Sequence, residues 1–234
     1  MIEIQFPLNS IAWAVGSLTL GVFALKNWLR YRKGRNYLNL NLAWFGATLG
    51  LGLALTSYAE FFTTDVSILH AFNLTSEIVI SLAFIIKSRL LWHLVLKGRM
   101  PYWTILLPLI GIAIWGWLGN LYGSTTSLRE PFVDFRYAPE GVIAQNIFLA
   151  GIIIPIGLTF LIKGIKELIR TKAIRPFFKP FLIGITYIGI AASTINSNFD
   201  SGGLETVGST YGNIALFLVL LAVLLLPPLK KTRK

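Results

Sequence analysis

The segment Ser67–Arg99, SILHAFNLTSEIVISLAFIIKSRLLWHLVLKGR, decides the fold of this 234-residue chain. Its first part, Ser67–Ile86, is mostly apolar and has the length of about 20 residues that one helix needs to cross a bilayer. Its second part, Lys87–Arg99, is basic. An apolar helix that runs into a short basic connection predicts a transmembrane span whose C-terminal end lies in the cytoplasm.

Apolar segments of similar length occur along the whole chain, which is 55% hydrophobic and only 13% charged. A soluble domain carries about twice that fraction of charged residues. We therefore predict one all-α domain, residues 1–234, built as an integral membrane bundle of seven transmembrane helices. The predicted spans are Pro7–Leu25, Leu38–Tyr58, Ser67–Ile86, Tyr102–Tyr122, Val142–Ile162, Phe181–Asn196 and Thr210–Leu226.

The charged residues predict the orientation of the bundle. All but two of the 21 basic residues lie in the connections 26–36, 87–99 and 163–179 or in the C-terminal tail, and the acidic residues gather in the other connections. Short basic connections stay in the cytoplasm during insertion, so the N-terminus is expected outside and the C-terminus inside. The net charge of +11 is then expected to meet anionic lipid headgroups and not nucleic acid.

No complete catalytic, metal or cofactor motif is present in the sequence. The chain has no cysteine, so thiolate metal sites are impossible. Its two histidines, His70 and His93, lie at opposite ends of one predicted helix, about 34 Å apart, and cannot bind one iron. The predicted spans contain no lysine, so a retinal Schiff base is not expected. We expect neither enzymatic activity nor a cofactor.

A polar stripe on the third predicted span is the main candidate site. His70, Asn73, Glu77 and Ser81 are spaced so that they share one helical face. Glu77 is the only acidic residue predicted near a span centre, where an ionised carboxylate without a partner is unfavourable. Two interpretations stay open: the neutral Glu77 forms a ligand or proton site, or it forms a hydrogen bond that packs two helices.

The predicted outer connections could complete a pocket above this stripe. The sixth span ends in a polar stretch that includes Asn196, which we add to the candidate ligand-binding residues. The outer loop Gly123–Gly141 carries Arg129, Asp134 and Arg136. We interpret this loop either as a lid tied by ion pairs or as a docking surface for another protein.

Two further patterns concern helix packing. Gly46 and Gly50 form a small-xxx-small face on the second span, which allows two helix backbones to approach closely. In addition, spans one and two flank a basic connection, and so do spans five and six in the same orientation. This arrangement predicts a weak three-plus-one-plus-three internal repeat.

The layout resembles a known family across nearly the whole chain. A basic connection leads into Asn36–Leu40, and the second predicted helix ends with Ser57–Glu60. The third predicted helix ends in a basic turn, and the sixth ends in a polar stretch. These features resemble the seven-helix N-terminal sensor region of bacterial membrane histidine kinases. The resemblance implies a bacterial inner membrane location and a sensor-like function. No kinase domain follows before Lys234, so we expect a signal to pass to a separate partner protein.

Three function classes therefore remain open from the sequence. The first is a non-catalytic sensor-like or regulatory module that acts through a membrane or cytoplasmic partner. The second is an accessory subunit of a larger membrane complex. The third is a small solute transporter, because an internal glutamate among helices bent at Pro108 and Pro155 could line a solute path.

Overall fold

The computed structural model describes residues 8–129, 132–171, 174–199 and 204–225. This part of the chain is mostly helical, which confirms the predicted helical class. A β-hairpin, with strands β1 (Thr125–Arg129) and β2 (Phe132–Arg136), interrupts the helices. The helices are α1 (Leu8–Gly34), α2 (Tyr37–Phe62), α3 (Val66–Leu94), α4 (Trp103–Gly123), α5 (Pro139–Phe148), α6 (Ile154–Thr171), α7 (Ile174–Phe199) and α8 (Leu204–Leu225).

Capping side chains account for where α2 and α3 begin. The Asn36 side chain accepts a hydrogen bond from the backbone N–H of Leu38 at 2.9 Å and caps α2. The Asp65 side chain accepts one from Ser67 at 2.9 Å and caps α3. Such caps satisfy backbone donors that have no partner inside the helix.

Four helices in the described part of the chain are long and apolar enough to cross a membrane. They are Tyr37–Phe62, Val66–Leu94, Trp103–Gly123 and the continuous stretch Pro139–Arg170. Two shorter apolar helical stretches, Pro180–Ile195 and Thr210–Leu225, are present as well. The length and composition of these helices identify a membrane protein.

The structure corrects several predicted boundaries. The predicted connections 26–36 and 163–179 are largely helical in the described residues, because α1 runs to Gly34, α6 runs to Thr171 and α7 begins at Ile174. The predicted connection Lys87–Arg99 is helical at its start, because α3 continues to Leu94. The fifth predicted span, Val142–Ile162, is part of a longer helix that begins at Pro139. The predicted outer loop Gly123–Gly141 contains the β-hairpin. Hydropathy locates the apolar centre of a helix but not the polar turns that extend it.

A π-helical turn at Leu149–Ile153 joins α5 to α6 without a break. Its last hydrogen bond runs from the backbone N–H of Ile154 to the carbonyl of Leu149. Pro155 follows immediately, and proline cannot donate a backbone hydrogen bond to the preceding turn. The π turn, which is wider than an α-helical turn, therefore lies beside Pro155, a residue that an ordinary α-helix accommodates poorly.

Six of the helices form a closed ring. α1 packs against α2, α2 against α3, α3 against α6, α6 against α7, α7 against α8, and α8 against α1. α4 and α5 pack against each other and against α3. Since α3 contacts α2, α4, α5 and α6, its polar stripe has neighbours on several sides.

Small residues permit the closest helix contacts. A Cβ atom added to Gly46 would lie 3.1 Å from the carbonyl oxygen of Leu20 on α1. One turn further, the Ser17 hydroxyl donates a hydrogen bond to the carbonyl of Gly50 at 2.9 Å. The small-xxx-small face predicted on α2 thus packs within the chain, against α1.

Candidate functional site

The β-hairpin lies at one end of the bundle, which we call the hairpin end. Its strands are antiparallel, with Thr125 opposite Arg136. β1 contacts α3, and the Nδ1 atom of His70 lies 3.0 Å from the Thr126 hydroxyl oxygen. The His70 ring also packs against Phe135, with ring centroids 5.8 Å apart. The segment predicted as a lid therefore lies over the first residue of the polar stripe.

A hydrogen bond ties the segment after the hairpin to the interior of the bundle. The Tyr137 hydroxyl donates to Glu77 Oε1 at 2.7 Å. Burial, together with the neighbouring carboxyl of Glu77, raises the pKa of Tyr137 well above its ordinary value. Tyr137 therefore stays protonated and remains a donor at physiological pH. Tyr137 could not be recognised as a site residue from the sequence, because nothing in its neighbourhood along the chain indicates this partner.

Glu77 also borders a small cavity between α3, α4 and α5. The centre of a water molecule can move within about 10 Å³ of this cavity. The cavity therefore has room for about one water molecule. The indole N–H of Trp117 is buried at this cavity and has no hydrogen-bond partner in the described structure. The Glu77 carboxyl and the unpaired Trp117 N–H, on the walls of such a volume, suit one hydrogen-bonded water molecule. The polar lining side chains are Glu77, Ser81, Trp117, Asn120 and Gln145.

Asn120 fixes the start of α5 next to this site. It is 2% exposed, and its Oδ1 atom accepts a hydrogen bond from the backbone N–H of Ala138 at 3.0 Å. Gly141, in the first turn of α5, lies directly against the Asn120 amide. This contact holds α5 to α4 and so positions Tyr137, which precedes Ala138, above Glu77.

The remaining predicted site residues are separated from this cluster or lie outside it. Asn73 is buried, and its amide nitrogen has no hydrogen-bond partner in the described structure. Asp134 and Arg136 form an ion pair at 3.0 Å on the hairpin surface, where a docking partner could reach them. Asn196 lies in α7 and Arg129 in β1, but both side chains lie outside the described part of the structure.

Lys87 is the clearest correction to the sequence analysis. It was predicted at the start of a basic connection, but its side chain is 0% exposed inside the bundle. Its Nζ atom donates to the Tyr187 hydroxyl at 2.8 Å and lies 4.0 Å from the centroid of the Phe45 ring. The prediction that no lysine lies inside a span is therefore wrong. The apolar pair Leu90–Leu91, one turn later, was the signal that α3 continues.

Glu60 is a second buried charge-bearing residue that the sequence analysis placed in an outer connection. It is 2% exposed and accepts a hydrogen bond from the Ser10 hydroxyl at 2.5 Å. The Ser57 hydroxyl donates to the backbone carbonyl of Ser10 at 3.3 Å. These contacts join the hairpin ends of α1 and α2 through polar groups.

Comparison with models of known protein families gives no match, and comparison with curated proteins gives none either. The fold and composition define a helical membrane protein. Its distinguishing feature is the polar cluster under the hairpin, where Tyr137, Glu77 and Asn120 connect the hairpin to α3 and α4.

Proposed function

We propose that this chain is a seven-helix membrane protein, with its N-terminus outside and its C-terminus in the cytoplasm, that works as a sensor-like or regulatory module through a separate partner protein. The spans would be α1, α2, α3, α4, the continuous α5–α6, α7 and α8. Segregation of the basic residues supports this orientation, and the hairpin would then face the outside. The resemblance to histidine kinase sensor regions supports a bacterial inner membrane location.

The observation that carries the proposal is the hydrogen bond from Tyr137 to Glu77. It links a surface hairpin to a residue of α3, so displacing the hairpin must break or move a partly buried polar contact. Glu77 lies on α3, which runs without interruption from Val66 to Leu94. A shift of this helix at one end would reach the other end, which is how packed helices transmit a switch.

The size of this cavity argues against binding of a transported solute at Glu77. Space for about one water suits a change in protonation or hydration at Glu77, whereas a transported solute needs a larger site. As an accessory subunit, the chain would use Glu77 only for packing. The basic residues at the end opposite the hairpin are the proposed contact region for an acidic partner protein.

The orientation has a direct labelling test, since the chain has no native cysteine. Ser127, on the hairpin, and Gly34, at the opposite end, are both exposed. In intact cells a membrane-impermeant maleimide should label Ser127→Cys fully and Gly34→Cys only after permeabilisation. The reverse pattern, or labelling of both residues in intact cells, would contradict the proposed orientation.

The sensor function itself is tested by releasing the hairpin. Tyr137→Phe removes the donor to Glu77, and a spin label on Ser127→Cys should become more mobile. Distances between labels on Gly34→Cys and Lys97→Cys, at the opposite end, should shift in the same variant. A mobile hairpin with unchanged distances at that end would refute transmission and leave a packing role. Tyr122→Phe, an exposed tyrosine on α4, is the matched control and should change neither signal.

A further inference from the structure

Two segments of the chain align without a gap, 140 residues apart, with 5 of 18 positions identical. They are Leu18–Arg35 in α1 and its following turn, and Leu158–Arg175 in α6 and the start of α7. An unbroken register is more specific than shared hydropathy alone. The identical pairs are Leu18 and Leu158, Thr19 and Thr159, Lys26 and Lys166, Arg30 and Arg170, and Arg35 and Arg175; the similar pairs are Val22 and Ile162, Leu25 and Ile165, Leu29 and Ile169, and Arg32 and Lys172.

The order of the helices repeats with a similar spacing. α2 begins at Tyr37 and α7 at Ile174, and α3 begins at Val66 and α8 at Leu204. In the ring of helices, α1–α2–α3 and α6–α7–α8 are consecutive packed triples, joined through α1 with α8 and α3 with α6. α1 and α6 therefore hold equivalent positions in two halves of similar build.

Several of the matching positions face outward. Leu25 and Leu29 are 58% and 47% exposed on α1, and the equivalent Ile165 and Ile169 are 40% and 73% exposed on α6. By contrast, the buried Asn27 of α1 corresponds to Glu167 of α6. Thr19, which matches Thr159, is also fully buried, so part of the similarity reflects helix packing. The exposed matching pairs are the ones that a molecule outside the bundle can contact.

The exposed residues have the chemistry of a phospholipid site. On α1 four apolar residues form a row along one helix face, at spacings of four, three and four: Leu18, Val22, Leu25 and Leu29. On α6 the row consists of Leu158, Ile162, Ile165 and Ile169. Such a row suits contact with an acyl chain. Beside each row lie a lysine and an arginine one helical turn apart, which suits the phosphate of a headgroup. Arg170 also pairs with Glu167, but its side chain is 74% exposed and remains accessible. The Lys26 amine donates to the Leu224 carbonyl, so Arg30 is the freer cation on α1.

We propose that α1 and α6 each carry one binding site for an anionic phospholipid. In the first site Lys26 and Arg30 bind the phosphate while Leu25 and Leu29 contact the acyl chain. In the second site Lys166 and Arg170 bind the phosphate while Ile165 and Ile169 contact the acyl chain. The proposal does not depend on the sensor function.

The experiment counts bound lipids. The full chain is reconstituted in vesicles of one part phosphatidylglycerol and three parts phosphatidylcholine, extracted in mild detergent, and weighed by native mass spectrometry. Two phosphatidylglycerol molecules should stay bound to the wild-type chain. Arg30→Gln and Arg170→Gln should each retain one, and the double variant should retain none. Arg30→Lys and Arg170→Lys, which keep the charge, should retain lipid.

Matched controls separate the site from general attraction to positive charge. Lys97 and Arg99 lie in the turn after α3, and Lys97→Gln with Arg99→Gln should leave two lipids bound. Excess glycerol phosphate should not displace them, because it lacks the acyl chain. The proposal is overturned if both lipid types are retained equally, if the turn variant loses lipid as the arginine variants do, or if glycerol phosphate displaces it. A thermal unfolding scan of each variant ensures that lipid is counted on folded protein.

Discussion

Replacement of Gly141 by leucine should abolish accumulation of the folded protein. A Cβ atom at this position overlaps the amide of Asn120, and Asn120 is held by its hydrogen bond to the backbone of Ala138. Neither helix can move away without breaking the contact between α4 and α5. Forcing a side chain into such a site costs several kcal/mol, roughly 4 or more, which approaches the whole stability of many proteins. Alanine alone should cost about 1–3 kcal/mol.

The matched control for this prediction lies on the same helix pair. Gly111 of α4 has no neighbouring atom within 4 Å of an added Cβ, so Gly111→Leu should change stability by no more than about 0.5 kcal/mol. Fluorescence-detected size exclusion after extraction would measure the folded fraction, and thermal unfolding would measure the alanine variant. A Gly141→Leu protein that is monodisperse and melts like the wild type would show that α4 and α5 do not pack in this way.

Substitutions of Glu77 should separate its hydrogen bond from its charge. Glu77→Gln keeps an acceptor for the Tyr137 hydroxyl and should fold almost normally. Glu77→Leu leaves that partly buried hydroxyl without its acceptor, and we expect a loss of about 1–3 kcal/mol. Thermal unfolding in detergent or nanodiscs would measure both variants.

A double-mutant cycle assigns this loss to the Tyr137 contact. If the two groups act through one hydrogen bond, Glu77→Leu combined with Tyr137→Phe should cost less than the sum of the single changes. Additive losses would mean that Glu77 acts through other neighbours. Equal losses for glutamine and leucine would instead point to the carboxyl charge, which glutamine cannot replace.

Hydropathy could predict the helices because apolar length is a local property of the sequence. Each predicted span corresponds to one helix or continuous helical stretch, but several helices extend seven to nine residues beyond the predicted ends, as α1 does to Gly34 and α3 to Leu94. Burial of charged residues could not be predicted in the same way. Lys87 is enclosed by Phe45 and Tyr187, which are distant in sequence, and one sequence gives no sign of those contacts.

The candidate site shows the same division. Spacing alone places His70, Asn73, Glu77 and Ser81 on one face of α3, and the loop above them was expected as a lid. The particular partners, Thr126 for His70 and Tyr137 for Glu77, depend on how the hairpin folds back over the bundle. The hairpin itself was missed, since its ten strand residues are few beside the long apolar segments around it.

The π-helical turn at Leu149–Ile153 sets how far α5 is rotated relative to α6 about the axis of their continuous helix. α5 presents Gly141 to α4, whereas α6 presents Gly157 to α7. A π turn adds one residue to an α-helix, and one residue corresponds to a rotation of about 100°. Deletion of one residue from the π turn would leave α5 and α6 continuous but would rotate α5, and the hairpin before it, away from α3. The match between the two halves of the chain also begins just after this turn. A single inserted residue therefore separates α6, which aligns with α1, from the segment that carries Tyr137.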